Sequence, residues 1–160
     1  MVKIEILFKE GKISRINELE LNRYINFFEK SYLDNLGHSK ANITAFPRWS
    51  IISGYYAMHD ITKLLLAKKF RIKIEFEVHA TTIKVLDELI KNKEILKLIQ
   101  EGYKEFISLA NDLAEAKEDR VKVQYYTGTD FMKEEYIKRA KEFLNNIVLP
   151  YLEKMIGLIK

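Results

Sequence analysis

Between Pro47 and Lys69 the chain reads PRWSIISGYYAMHDITKLLLAKK, which is one helix of about six turns at ~3.6 residues per turn. Pro47 stands in the first turn, where a missing N–H would be unpaired anyway. Ile51, Gly54, Met58, Ile61 and Leu65 recur at steps of three and four and so share one face, widened by Ala57 and Leu64. The other side carries Trp49, Ile52 and Tyr56 beside His59, Asp60 and Lys63. A helix that is apolar almost all round is buried or has a second partner. This one is therefore expected at the centre of a helical bundle, with Gly54 and Ala57 admitting a close backbone. Trp49, Ile52 and Tyr56 are then expected to contact another helix or another subunit.

With 160 residues there is room for one domain with a real hydrophobic core. Apolar residues at 48% and charged residues at 31% are the balance of a globular chain. The absence of cysteine excludes disulfides and cysteine-based zinc sites, and it fits a reducing cytoplasm. MVKIEILFKEG lacks the apolar segment of a signal peptide. No apolar run approaches the ~20 residues that span a bilayer, so no membrane association is expected. The net charge of +4 permits contact with nucleic acid without requiring it.

Elsewhere the elements follow from periodicity and breakers. Val2–Phe8 and Lys12–Ile16 read as a small hairpin around Gly11 or as a helical lead-in. A helix is expected from Asn17 to Leu36, with Leu21, Tyr24, Ile25, Phe28, Tyr32 and Leu36 inward and Gly37 ending it. Phe70–Val78 alternates like a strand, but in a helical chain so charged a piece is expected as an extended connector. A helix from His79 or Ala80 to Lys91 follows, lined by Ile83, Leu86 and Ile90. The next runs from Glu94 to Glu118 or a little beyond, burying Leu98, Tyr103, Phe106, Leu109 and Leu113. Gly102 should weaken it by roughly 1 kcal/mol relative to alanine and admit a bend. After the break at Thr127–Asp130, the last helix spans Phe131–Ile159, with Ile137, Ala140, Leu144, Ile147, Tyr151, Met155 and Leu158 inward. Pro150 should kink it, because it removes the bond to the Asn146 carbonyl.

No HExxH, Walker, GxGxxG or GxSxG pattern is present. The three histidines are His38, His59 and His79. Arg48 shares a helical face with His59 but stands roughly 16 Å along the axis, too far to pair. His79 opens a helix as a boundary residue. Asp112, Glu115 and Asp119 have a spacing that suits a divalent cation, yet Lys117 and Lys122 interleave them, so a solvated face is expected and neither metal nor cofactor. The run Lys68, Lys69, Arg71, Lys73 beside Phe70 and Phe76 suits a phosphate backbone or a wet connector, and the connector is preferred. Arg120, followed by Tyr125 and Tyr126, closes a long helix before a polar break. It could meet a phosphate bidentately with a phenol as second donor, or complement the helix dipole.

Three pieces together resemble the HEPN family of small all-helical prokaryotic proteins. Ser53-Gly54-Tyr55-Tyr56-Ala57-Met58 is similar to the family's Ser-Arg-Ala-Tyr-Tyr-Ala-Met segment on a central helix. His79 is placed like the family's histidine after the connector. Arg120-x4-Tyr125 followed by Ala140-Lys141-Glu142-Phe143 is similar to its Arg-x4-Tyr stretch and final Ala-x-x-Phe helix. The likeness covers roughly Leu19–Ile159, with Gly54 and Ser53 standing where the family commonly has larger residues. It implies an all-α, antiparallel bundle of four or five helices, running up and down, over residues 19–160, with 1–18 as an N-terminal extension. It also implies a homodimer, and a role as an RNase toxin, as a nucleotidyltransferase partner or as a substrate-binding module. The RNases use Arg-x4–6-His. Here positions 125 and 126 are tyrosine and no histidine follows, and a phenol titrating near ~10 is a poor base at neutral pH. The expectation is a non-catalytic module in which Arg120, Tyr125, Tyr126 and His79 hold a nucleotide or RNA phosphate, or which docks a nucleotidyltransferase. One alternative is an RNase with a rearranged site that recruits His79 or His59 across the dimer. The other is a structural subunit whose Trp49–Ile52–Tyr56 face is buried in an oligomer.

Overall fold

The computed structural model describes residues 3–122 and 129–160, and the side chains among them other than those of 110 and 112–132. The order is α1 (Ile4–Lys9), β1 (Ile13–Arg15), α2 (Glu18–Ala41), α3 (Pro47–Phe70), β2 (Ile72–Ile74), α4 (Val78–Leu89), α5 (Lys93–Lys122), α6 (Thr129–Phe143), a π-helical turn (Leu144–Val148) and α7 (Leu149–Ile159). Among the described residues the fold is helical, with one small two-stranded sheet. Among the described residues no helix is long and apolar enough to cross a membrane.

Helix α3 is the core of the molecule, as its sequence implies. Ile51, Gly54, Ala57, Met58, Ile61, Leu64 and Leu65 are all buried. The side expected to meet a partner divides. Trp49 and Tyr56 are 58% and 49% exposed, whereas His59 and Asp60 are buried. Asp60 is tied down by neutral donors from α2: Ser31 Oγ at 2.6 Å and Asn35 Nδ2 at 2.8 Å. With Ser39 bonded to Ser50 and Lys68 to Glu29, these pairs run in opposite senses along α2 and α3, so the two helices are antiparallel. The close approach falls where the side chains are smallest. A Cβ at Gly54 would lie 3.1 Å from Ser39 Oγ, 3.1 Å from Val148 Cγ2 and 3.2 Å from Phe143 Cε1. Contacts of Gly102 with Met58 and of Phe106 with Tyr55 show α5 antiparallel to α3, and those of Glu105 with Arg139 and of Glu94 with Lys154 show it antiparallel to the last helix.

Several expectations are corrected. Helix α2 does not stop at Leu36. Gly37 keeps helical geometry, and the helix continues to Ala41, where Asn42 closes it by donating from both its backbone N–H and its side chain to the His38 carbonyl. A glycine ends a helix when it takes a left-handed conformation, and Gly37 does not. Of the two readings of residues 2–16, the helical lead-in holds for Ile4–Lys9, and the hairpin is absent among the described residues. Ile4–Lys9 is helical, Gly11 turns the chain at φ 68°, and Ile13–Arg15 pairs antiparallel with Ile72–Ile74. Three residues of the charged piece after α3, Ile72–Ile74, are therefore strand, because an edge elsewhere in the chain gives their backbone a partner, while the residues from Glu75 to Glu77 form the expected connector. Ile13 and Ile72 pack beneath it with Leu7, Leu66 and Val85.

Gly102 produces no break in α5. It is a contact point, where Met58 of α3 lies against the backbone. Ile95, Ile99 and Leu109 form the fully buried line of α5, with Leu98, Tyr103 and Phe106 half-buried. Leu113 lies outside the side chains described. The interruption expected at Pro150 takes the form of the π-helical turn just before it, where the Leu149 N–H reaches back to Leu144 O. Proline cannot bond to the carbonyl four residues back, so the ladder changes register ahead of it. The extra residue rotates the remainder of the helix by about 100°. Val148 and Leu152 are thus drawn in beside Tyr151 and Met155, and Leu158 is left 37% exposed rather than inward.

Candidate site around Tyr55, His59 and His79

Tyr55 and His59 stand four residues apart on α3, one above the other on the same inward face. Both are nearly inaccessible, at 1% and 4% exposure. His79 comes from the first turn of α4, positioned by the left-handed residue Glu77 (φ 49°) that turns the chain out of β2. The three side chains meet at their polar ends. Tyr55 Oη is 2.7 Å from His59 Nε2 and hydrogen-bonded to His79 Nδ1, and the two ring nitrogens are 3.1 Å apart. Rings from α5 close over them. Tyr103 stacks on His79 at 4.4 Å and 23°, and Phe106 stacks on Tyr55 at 4.7 Å and 24°. Half-exposed Tyr56 meets Phe106 edge-on.

Burial sets the charge of this group. Desolvation pushes the Tyr55 phenol well above its ordinary range, so it stays protonated. Desolvation first, then His79 and Lys63, lowers His59 to about 3. Burial and Lys63 also lower His79. Two neutral imidazoles and one phenol therefore share the available protons, and the tautomers follow from counting them. If Tyr55 donated to His59, the His59 Nδ1 would carry a proton with no partner in the core. If Tyr55 donates to His79 Nδ1, His59 Nε2–H donates to the phenol oxygen, and the atom left without a partner is the His59 Nδ1 acceptor. An orphaned buried N–H is the rarer and costlier defect. The second arrangement is the one assigned. It places a proton on His79 Nε2, on the side of the ring away from Tyr55, and His79 is only partly buried.

The other residues singled out from the sequence are distributed differently. His79 is more than the boundary residue its position suggests, being one of a hydrogen-bonded trio. Arg120 lies in the last turn of α5, but its side chain, and Tyr125 and Tyr126 entirely, fall outside the described residues, as do the side chains of Asp112, Glu115 and Asp119. Trp49 and Tyr56 are exposed and Ile52 is half-buried. Arg48 lies over the Tyr136 ring at 5.4 Å, with Arg139 at 5.2 Å from the same ring and bonded to Glu105. The basic run is largely neutralised. Lys68 pairs with Glu29, Arg71 with Glu18 and Lys73 with Glu20, which suits a connector better than a phosphate track. No group of three or more His, Cys, Asp or Glu able to hold a metal ion is found among the described residues.

Sequence reasoning does not single out Tyr55 as a site residue, and it names His59 only as a group that a rearranged RNase site could recruit across a dimer. Their i,i+4 spacing on an inward face is the available signal, and apolar periodicity absorbs it. No family model, no curated protein and no solved structure matches this chain.

Proposed function

We propose that the protein is a non-catalytic helical binding module of the HEPN kind that holds a nucleotide or an RNA phosphate. The supporting observation is the hydrogen-bonded Tyr55–His59–His79 trio, whose tautomers follow from counting donors and acceptors. A general base needs a lone pair facing its substrate. With those tautomers the His79 Nδ1 lone pair is engaged by Tyr55 and Nε2 carries the hydrogen. Such a group donates to a ligand and removes nothing from it. His59 is out of a ligand's reach at 4% exposure, and burial lowers it to about 3, too weak a base to replace the missing one. The antiparallel directions of α2, α3 and α5 support the bundle this reading needs, and Arg120, Tyr125 and Tyr126 are proposed as additional phosphate contacts at the end of α5.

The test is titration of short single-stranded RNA and nucleotides into wild type, His79→Ala and Arg120→Ala, with the same RNA examined for cleavage. Binding without cleavage, weakened about tenfold in each variant, is expected. Identical, negligible binding in all three removes the reading. RNA cleavage lost on His79→Ala replaces it with the rearranged RNase.

A second reading rests on a separate observation. Trp49 and Tyr56 on α3, with Phe46 just before its first turn, are large, exposed aromatics, the kind of surface that a homodimer or a nucleotidyltransferase partner would cover. Light scattering on wild type and Tyr56→Asp tests it. A dimer that becomes a monomer on substitution is expected, and a monomer in both cases removes the homodimer.

A further inference from the structure

We infer that the ring assembly around His79 seats a nucleobase, with the phosphate held elsewhere. The inference rests on the nucleotide-binding reading and specifies which part of the ligand this site takes. Its hydrogen-bonded trio is one phenol and two imidazoles, the stacked rings add the phenols of Tyr103 and Tyr56, and no guanidinium or ammonium is hydrogen-bonded among the trio. A phosphate is held by charged, often forked donors, and a single neutral N–H is a poor match. That N–H is well matched to one ring nitrogen or carbonyl of a heterocycle, and every nucleobase carries such an acceptor.

The surrounding rings have the geometry of a stack. Tyr55 lies within 28° of His79 and 24° of Phe106, and His79 lies within 23° of Tyr103. His79, Tyr103 and Phe106 are only partly buried, and Tyr56 at their rim is half-exposed. A planar heterocycle extends such a stack without needing a particular sequence. Lys63 stands seven residues beyond Tyr56 on α3, about 10 Å along the helix. Its ammonium lies over the Phe28 ring at 5.1 Å, and its charge reaches both His59 and His79. With neutral donors and stacking as its means of recognition, the seat should discriminate little between bases.

The experiment sets uncharged nucleosides, uridine and adenosine, against ribose 5-phosphate and inorganic pyrophosphate. Each is titrated into wild type, His79→Ala, Tyr103→Leu and Tyr103→Phe and followed by NMR shifts, with circular dichroism and melting confirming that every variant folds. Both nucleosides should bind wild type and Tyr103→Phe similarly and be weakened about tenfold or more in Tyr103→Leu and His79→Ala. If RNA binds but ribose 5-phosphate competes for it and nucleosides do not, the base seat is overturned while the phosphate reading stands. Nucleoside binding undiminished in both disruptive variants also overturns it. If neither RNA nor nucleoside binds, both readings fall together.

Discussion

Burying His59 commits the protein to an uncharged imidazole. In the unfolded chain that ring takes up a proton near its ordinary pKa of 6.5, whereas in the fold it resists protonation down to about 3. Above 6.5 both states are neutral and pH has no effect through this group. Below it, the unfolded state binds the extra proton, and stability falls by up to about 1.4 kcal/mol per pH unit until pH reaches the folded value. His79 shifts in the same direction and adds to the slope. Melting temperatures measured between pH 7 and pH 4 should fall more steeply in wild type than in His59→Gln; equal slopes would show that His59 is not held neutral. A second residue-scale asymmetry lies at Tyr151, whose buried hydroxyl reaches Thr62 Oγ1 at 2.6 Å while Thr62 donates to Met58 O. Tyr151→Phe leaves Thr62 still bonded and should cost about 1 kcal/mol, whereas Thr62→Val strands a buried phenol and should cost about 1–3 kcal/mol. Denaturant midpoints would rank the two, and the reverse order would mean that the phenol has another partner.

At the scale of elements, three glycines on three helices separate the part of a fold that a sequence declares from the part that packing decides. Gly37, Gly54 and Gly102 are alike on paper. Gly37 faces open space in mid-helix, so Gly37→Ala should stabilise by about 0.5–1 kcal/mol. Gly54 is hemmed in by three elements at once, and there Gly54→Ala should destabilise, since overpacking of about 1–3 kcal/mol exceeds the gain in helix propensity. Thermal melts of the two variants should shift in opposite directions. Gly102 meets only the flexible end of Met58 and one Tyr55 ring atom, and lies between these cases. The periodic face of α3 was legible because it depends on residue type and spacing alone. The end of α2 was not, because it depends on Asn42 reaching back to His38. The strand Ile72–Ile74 was not either, because a strand this short exists only through the Ile13–Arg15 edge that pairs with it.

For the whole molecule, the helical class and the central place of α3 could be read from the chain, since both follow from where apolar residues recur. The Tyr55–His59–His79 trio could not, because it joins two helices whose relative placement no local pattern encodes. The same holds for the first sixteen residues, which lie outside the stretch that carries the family likeness. Leu7, Ile13 and Ile16 are at most 3% exposed, and Leu7 and Ile13 form one apolar cluster with Leu66, Ile72 and Val85. That cluster lies beneath the β2 segment leading directly to α4, and α4 carries His79. If the N-terminal segment is integral to the fold, Leu7→Ala should cost about 2–5 kcal/mol, the range for a fully buried leucine. Leu19→Ala, at a side chain 94% exposed, should stay within about 0.5 kcal/mol of wild type. The loss at Leu7 should also loosen the seat of α4, so the amide of His79 should exchange faster with solvent in Leu7→Ala than in Leu19→Ala. Equal stabilities for the two variants would make residues 1–16 an appendage. A large loss at Leu7 with unchanged exchange at His79 would keep them in the core but uncouple them from the site.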